Sequence, residues 1–184
     1  RPLLLQGLRR ESIGAVIMTR EIQLTKGKVA LVDDADHKRL AAHKWFAHRG
    51  HTEDLWYANR HAPRSGGKQT TISMHREILG LPPGHVPETD HRNGDGLDNR
   101  RCNLRIATRS QNMANGKVRR NSRSGFKGVH WDGQRRKWRT LITVNWKKIH
   151  LGYHDTPEAA AEAYRRGAEQ HFGDFAHHRC GGAS

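Results

Sequence analysis

Asp90-His91-Arg92-Asn93-Gly94-Asp95-Gly96-Leu97-Asp98-Asn99-Arg100-Arg101-Cys102-Asn103-Leu104-Arg105-Ile106-Ala107-Thr108-Arg109-Ser110-Gln111-Asn112 sits at the middle of a chain that is basic on either side of it. Val86 to Arg92 is expected to be an extended strand. Asn93-Gly94-Asp95-Gly96 is a strong turn signal, and Leu104 to Ala107 is the returning strand. Thr108, with Gln111 three residues on, forms a capping box that starts a helix and places Asn112 in its first turn. A β-hairpin followed by a helix can bring Asp90, His91 and Asn112 together. Adjacent strand residues point to opposite faces, so Asp90 and His91 reach one site only if the backbone twists or bulges there.

Upstream, Glu21 to Val32 reads as a hairpin turning at Lys26-Gly27-Lys28. Asp33 or Asp34 caps a short helix over residues 35–43. Trp45-Phe46, Leu55 to Ala58 and Thr70 to Ser73 read as strands, with Trp45, Trp56 and Ile72 as core residues. Met74 to Leu79 is a helical turn or two, ended by Gly80 and by Pro82-Pro83. His75, beside Arg76, reads as structural or phosphate-facing. The hairpin-helix unit has too little apolar surface to stand alone and is expected to pack on these strands.

Downstream, residues 117–124 are polar and basic, with Arg119, Arg120 and Arg123, and read as a linker. A second compact unit follows. Phe126 to Val129 is its first strand. Lys137 to Val144 is the second, with Trp138, Thr140, Ile142 and Val144 on one face. Asn145-Trp146 turns, and Lys147 to Tyr153 is the third, with Ile149 and Leu151 toward the core. Thr156 as N-cap, Pro157 at the first helical position and Glu158 start an Ala-rich helix that Gly173 stops. The helix covers one sheet face and leaves the other basic and open, and a sheet of this kind fits a DNA major groove.

The whole chain has 184 residues, enough for one domain or two small ones. Its 34% hydrophobic content allows only a modest or divided core. Lys and Arg number 33 against 18 Asp and Glu, a net charge of +15, which calls for a polyanionic partner, nucleic acid first and an anionic membrane surface second. No apolar run approaches the roughly 20 residues of a membrane span. Two distant cysteines, Cys102 and Cys180, make neither a disulfide framework nor a zinc site, which fits the cytoplasm. Residues 1–17 are read as a disordered extension or tag, because Met18-Thr-Arg looks like a natural start, and residues 177–184 as a tail.

Phosphodiester hydrolysis needs a base for water, and charge stabilisation on the phosphoryl and leaving oxygens. A neutral histidine suits the first task near pH 7. A divalent ion suits the second, and Asp90 and Asn112 offer hard oxygen ligands of the kind that take Mg²⁺ or Mn²⁺. From the residues alone, Asp90-His91 also fits a surface turn and Asn112 a surface amide. A calcium loop beginning at His91 fails at its first ligand and at its twelfth, Cys102.

The set Asp90-His91, Asn103-Leu-Arg and Asn112 resembles the HNH nuclease motif, in the variant common in phage and intron-encoded homing endonucleases. Leu24 to Val29, Val32-Asp-Asp, Trp45 and Met74-His75-Arg76 resemble the N-terminal half of those proteins. The resemblance implies a ββα-metal unit over residues 86–116. In it His91 is the general base, Asp90 and Asn112 hold a single divalent ion (Mg²⁺, with Mn²⁺ second), and Asn103 braces the loop so that His91 is oriented. Asn112 stands where many such enzymes carry a histidine. Residues 125–176 resemble an AP2/ERF DNA-binding domain through Gly125 to Val129, Lys137-Trp138, Leu151-Gly152-Tyr153, Thr156 to Tyr164 and Gly173 to Ala176. That resemblance implicates Lys127, His130, Lys137, Arg139, Thr143 and His150 in DNA contact; by strand alternation Lys148 shares the open face, and the linker's Arg119, Arg120 and Arg123 are expected to lie along phosphates. His130 and Asp132 replace arginines of the plant members, so base preference does not transfer.

The expectation is an α+β chain: a strand-rich region (18–85), the nuclease unit, a linker, then a three-stranded antiparallel sheet with one helix. It would cut or nick double-stranded DNA as a homing-type endonuclease, bind as a monomer, use no small-molecule substrate and no membrane, and act in the cytoplasm, the host cytosol if phage-encoded. The alternative is a transcription-factor-like DNA-binding protein with a vestigial nuclease unit. An RNA-binding reading is weaker, because the sheet is expected to lack exposed aromatic pairs.

Overall fold

The computed structural model describes residues 18–50, 54–116, 118 and 121–176. Strands β1 (Thr19–Gln23) and β2 (Val29–Asp33) pair antiparallel, as the alternation predicts. Ile22 and Ala30 face each other across the pair and are both buried. Helix α1 (Asp34–Ala41) follows at once. Asp33 stands at its N-cap but makes no side-chain cap bond. Its Oδ2 accepts instead from the backbone N–H of Arg101 at 2.8 Å, a bond to the central loop rather than to the helix.

Strands β3 (Phe46–Arg49), β4 (Trp56–His61) and β5 (Thr71–Ser73) form an antiparallel sheet with β4 in the centre. Helix α2 (Met74–Ile78) leaves β5 directly, and Gly80, at φ +68°, turns the chain away. Val32, Leu40, Trp45, Ala58 and Met74 are buried in one core. Trp56 packs partly buried against it, whereas Ile72, expected there, is only half-buried outside it. Leu104 joins this core from the central hairpin, so that hairpin does pack on the N-terminal strands. Ion pairs reinforce the contact: Arg101 donates to both Asp36 oxygens at 2.6 and 2.8 Å.

The central hairpin is β6 (Glu88–His91) and β7 (Leu104–Ala107), followed by α3 (Arg109–Asn115). The capping box is complete: Thr108 Oγ1 accepts from Gln111 N, and Gln111 Oε1 accepts from Thr108 N. The last unit is β8 (Val129–Asp132), β9 (Lys137–Val144) and β10 (Lys147–His154), with β9 in the centre, and α4 (Pro157–Phe172) laid over one face. Residues 126–128, expected as strand, instead precede β8. Gly128 lies so close under α4 that a Cβ there would sit 2.3 Å from the Tyr164 ring. Thr156 caps α4 through Ala159 N, as predicted.

The two halves are not separated. Ala114 of α3 lies in the same core as Ile142, Ala168, Phe172 and Ala176. Lys127, expected to face DNA, is turned inward. Its ammonium donates to the carbonyls of Met113, Ala114 and Gly116 at 2.7, 2.6 and 2.7 Å. These carbonyls lie at the end of α3, where intrahelical donors run out and a cation also meets the negative end of the helix dipole. Burial lowers the Lys127 pKa to about 8. Arg119, Arg120, the 1–17 extension and the 177–184 tail lie outside the described residues.

Candidate active site

The loop between β6 and β7 is held by Asn103, which is 6% exposed. Its Oδ1 accepts from Asn93 N at 3.0 Å, and its Nδ2 donates to Asn93 Oδ1 at 3.0 Å and to Asp98 O at 2.7 Å. One side-chain amide therefore ties both ends of the turn and its middle. Gly96 presses the same loop onto β4: a Cβ there would lie 2.4 Å from the Trp56 carbonyl and 2.6 Å from the Tyr57 ring. No side chain fits at that position without moving the loop.

His91 is fixed from three directions and is 6% exposed. Its ring lies 5.2 Å edge-on from His75 of α2 and 6.0 Å from Tyr57 of β4. Nε2 stands 3.5 Å from Asn99 Oδ1, the long limit of a hydrogen bond. Asn99 is itself fully buried and donates its Nδ2 to Leu97 O. Its oxygen is therefore the acceptor, Nε2 carries the hydrogen, and Nδ1 keeps the lone pair. Burial pulls the His91 pKa down, against smaller upward pulls from Asn99, Asp90, Asp95 and Asp98. His75 is driven to about 3, by burial first and then by His91 and Arg76. Both rings are neutral near pH 7. His75, read from sequence as structural or phosphate-facing, thus stands against His91. Its Nδ1 is buried without a hydrogen-bond partner.

A pH dependence of stability follows. Unfolded His75 takes up a proton near its ordinary pKa of 6.5, whereas the folded ring does so only near 3. Between those values the unfolded state binds more protons, so stability falls as pH falls. Urea midpoints measured at neutral pH and near about pH 5 should decline toward acid, and His75→Phe should flatten the decline. An unchanged slope in that variant would place the proton uptake elsewhere.

Asp90 faces the opposite way. The register of β6 and β7 runs unbroken from Glu88 to His91, without the bulge that would turn both side chains to one site. Asp90 is 5% exposed and both of its oxygens are occupied. Asn115 Nδ2 donates to Oδ1 at 2.7 Å and also to the His91 carbonyl at 2.9 Å. Arg105 donates to Oδ2 through Nε at 2.8 Å and lies within 2.6 Å through Nη2. Arg105 in turn donates to the Asp174 carbonyl at 2.7 Å, and its guanidinium lies 3.7 Å from the Phe175 ring centroid. Asn112 is not at Asp90: its Nδ2 donates to Glu88 Oε2 at 2.7 Å.

The oxygen pair expected of Asp90 and Asn112 is therefore not assembled. A divalent cation at Asp90 would stand beside a buried guanidinium and compete with two N–H donors. Among the described residues no group of three or more His, Cys, Asp or Glu side chains converges on a metal position. As folded, Asp90 is committed to Asn115 and Arg105, and the Asn112 Nδ2 to Glu88. Asn115 is the residue that sequence reasoning missed. It lies one helical turn beyond Asn112, and that spacing was the available signal.

Of the remaining DNA-contact candidates, His130, Thr143, Lys148, His150 and Arg123 are exposed. Thr140 and Ile142 are buried toward α4, so Arg139, Leu141 and Thr143 take the opposite face. Lys137 is paired with Asp155 at 2.9 Å, and half-buried Arg139 keeps an Nε without a hydrogen-bond partner. Trp131 and Trp138 pack edge-on at 5.2 Å on the α4 side of the sheet, and of the two only Trp131 is exposed, at 40%.

Residues 74–114 match a family model described as HNH endonuclease. That span holds His75, Asp90, His91, Asn103 and Asn112 and stops before the last unit. The chain is 32% identical over 108 residues to "Protein 3.8" of Escherichia phage T7, a match covering 57% of this chain and 88% of that protein. No solved structure matches the chain. No helix among the described residues is long and apolar enough to cross a membrane.

Proposed function

We infer that this chain, which belongs to the family of Protein 3.8 of Escherichia phage T7 and carries an HNH endonuclease domain at residues 74–114, hydrolyses phosphodiester bonds of double-stranded DNA. The observation that carries the reading is His91: a neutral imidazole inside the matched span, set at the end of a hairpin that Asn103 braces. His91 is the general base. Its Nδ1 takes the proton of the attacking water while Asn99 holds Nε2–H. Asn103 keeps the ring in place through the loop. Asn115 and Arg105 fix Asp90 and so the strand that carries His91.

HNH nucleases generally use a divalent metal, which supplies charge stabilisation at the phosphate and leaving oxygen. A metal requirement here, Mg²⁺ first and Mn²⁺ second, rests on that family resemblance alone. Binding of DNA by the AP2-like unit through His130, Arg139, Thr143, Lys148 and His150 rests on the open sheet face and on the excess of positive charge over the chain. Site-specific homing-type cleavage, action as a monomer and action in the host cytosol belong to the same proposal.

Supercoiled plasmid incubated with the protein and Mg²⁺ or Mn²⁺ should convert to nicked or linear product, and EDTA should stop the conversion. Run-off sequencing of the ends then reads the site preference. Tight, salt-sensitive DNA binding with no strand scission under either metal would favour the regulator with a vestigial nuclease unit.

A further inference from the structure

The turn between β9 and β10 carries a residue that its backbone does not suit. Asn145 has φ +47° and Trp146 φ +68°, the two positive values of a type I′ hairpin turn. Asparagine is at home in the first position, and glycine is usual in the second. A bulky side chain there is an outlier. Nothing in the fold compensates by burying the indole, since Trp146 is 79% exposed. A strained, exposed aromatic is a feature to be explained by what it meets outside the chain.

Its surroundings narrow what that is. Trp146 shares a shallow cleft with Met113, Thr143, Arg109 and Ser110. Met113 is itself 51% exposed. Lys147 and Lys148, the next two residues, are both exposed. The apolar tip is thus flanked by cations, which suits a polyanion that also offers flat apolar surface. DNA is such a partner: phosphates for the lysines and a base step for the indole. The tip also leans on the nuclease helix, because Asn145 N donates to Ser110 Oγ at 3.0 Å in the first turn of α3. That helix carries Asn115, the clamp on Asp90 and on the His91 carbonyl.

We propose that Trp146 is an apolar wedge that enters a base step of double-stranded DNA and sets the register of the duplex on α3. This deepens the DNA reading above and rests on it. The indole meets the stacked bases while Lys147 and Lys148 hold phosphates. The left-handed backbone is retained because it presents the ring outward at the apex of the ribbon.

The test uses the full chain and a short mixed-sequence duplex, titrated at low salt and followed by anisotropy and tryptophan emission. Trp146→Gly relieves the turn, so its melting temperature should equal or exceed that of the parent. Its DNA affinity should nevertheless fall by roughly 5- to 150-fold, the range for loss of one stacked aromatic, and the DNA-dependent quenching of emission should shrink. Trp146→Phe should keep most of the affinity. Equal affinity and quenching in parent and Trp146→Gly would overturn the wedge while leaving DNA binding intact. A drop in melting temperature in Trp146→Gly would overturn it too, by making the indole a structural residue. Absence of DNA binding by the parent chain would overturn the DNA reading itself, and the wedge with it.

Discussion

His91→Ala is expected to reduce strand scission by about 10²- to 10⁴-fold, the usual contribution of a positioned general base, while duplex affinity stays that of the parent. The separation follows from where the ring lies. His91 is 6% exposed and turned toward His75, Tyr57 and Asn99. The exposed basic side chains, among them His130, Lys148 and Arg123, lie on other elements. Removing the imidazole leaves that surface unchanged. Because the ring is buried among aromatic neighbours, the truncation also opens a cavity, and a melting curve must accompany the assay. His91→Asn keeps more of the volume and removes the base equally. Loss of scission in both variants at retained melting temperature and affinity assigns the proton transfer to His91. Normal cutting by His91→Ala would remove it from the mechanism.

The largest stability effect is expected at Arg105. Arg105 and Asp90 are 7% and 6% exposed at the side chain, so the pair is shielded from water. Replacing one member leaves the other as an uncompensated buried charge, which costs about 3–5 kcal/mol. Arg105→Ala also strips the Asp174 carbonyl of its donor and Phe175 of its stacked cation. The shift in urea midpoint, with scission measured beside it, reads the effect. Arg105→Lys keeps the charge but not the fork that reaches Asp90 and Asp174 together, and should recover only part of the loss. A midpoint unchanged in Arg105→Ala would mean that Asp90 is not held as described.

Local chemistry was legible. The Asn93-Gly94-Asp95-Gly96 turn, the Thr108–Gln111 capping box and the Thr156-Pro157 helix start are each written in a few consecutive residues, and each is found in place. The bracing of the turn by Asn103 could also be anticipated, because it acts within its own loop. What could not be read were contacts between distant residues. His75 meets His91 only because α2 and β6 lie against one another. Asp90 turns from His91 because the strand alternates without a bulge, and sequence stated that condition without resolving it. The polar, basic composition of residues 117–124 suggested a spacer between independent units. The burial of Ala114 with Phe172, which joins them, leaves no trace in that composition.

Lys127 gives the junction a bearing on how such chains could be recombined. Its ammonium caps the last carbonyls of α3 from the far side of residues 117–124. The final unit is therefore not a cassette that can be exchanged at that segment for another module. A graft would need to bring its own cation to the end of α3, an apolar seat for Ala114 and a carbonyl for Arg105. Shuffling between relatives should succeed at crossovers that keep these three partners on one parent, and fail at the basic segment that looks like the natural seam.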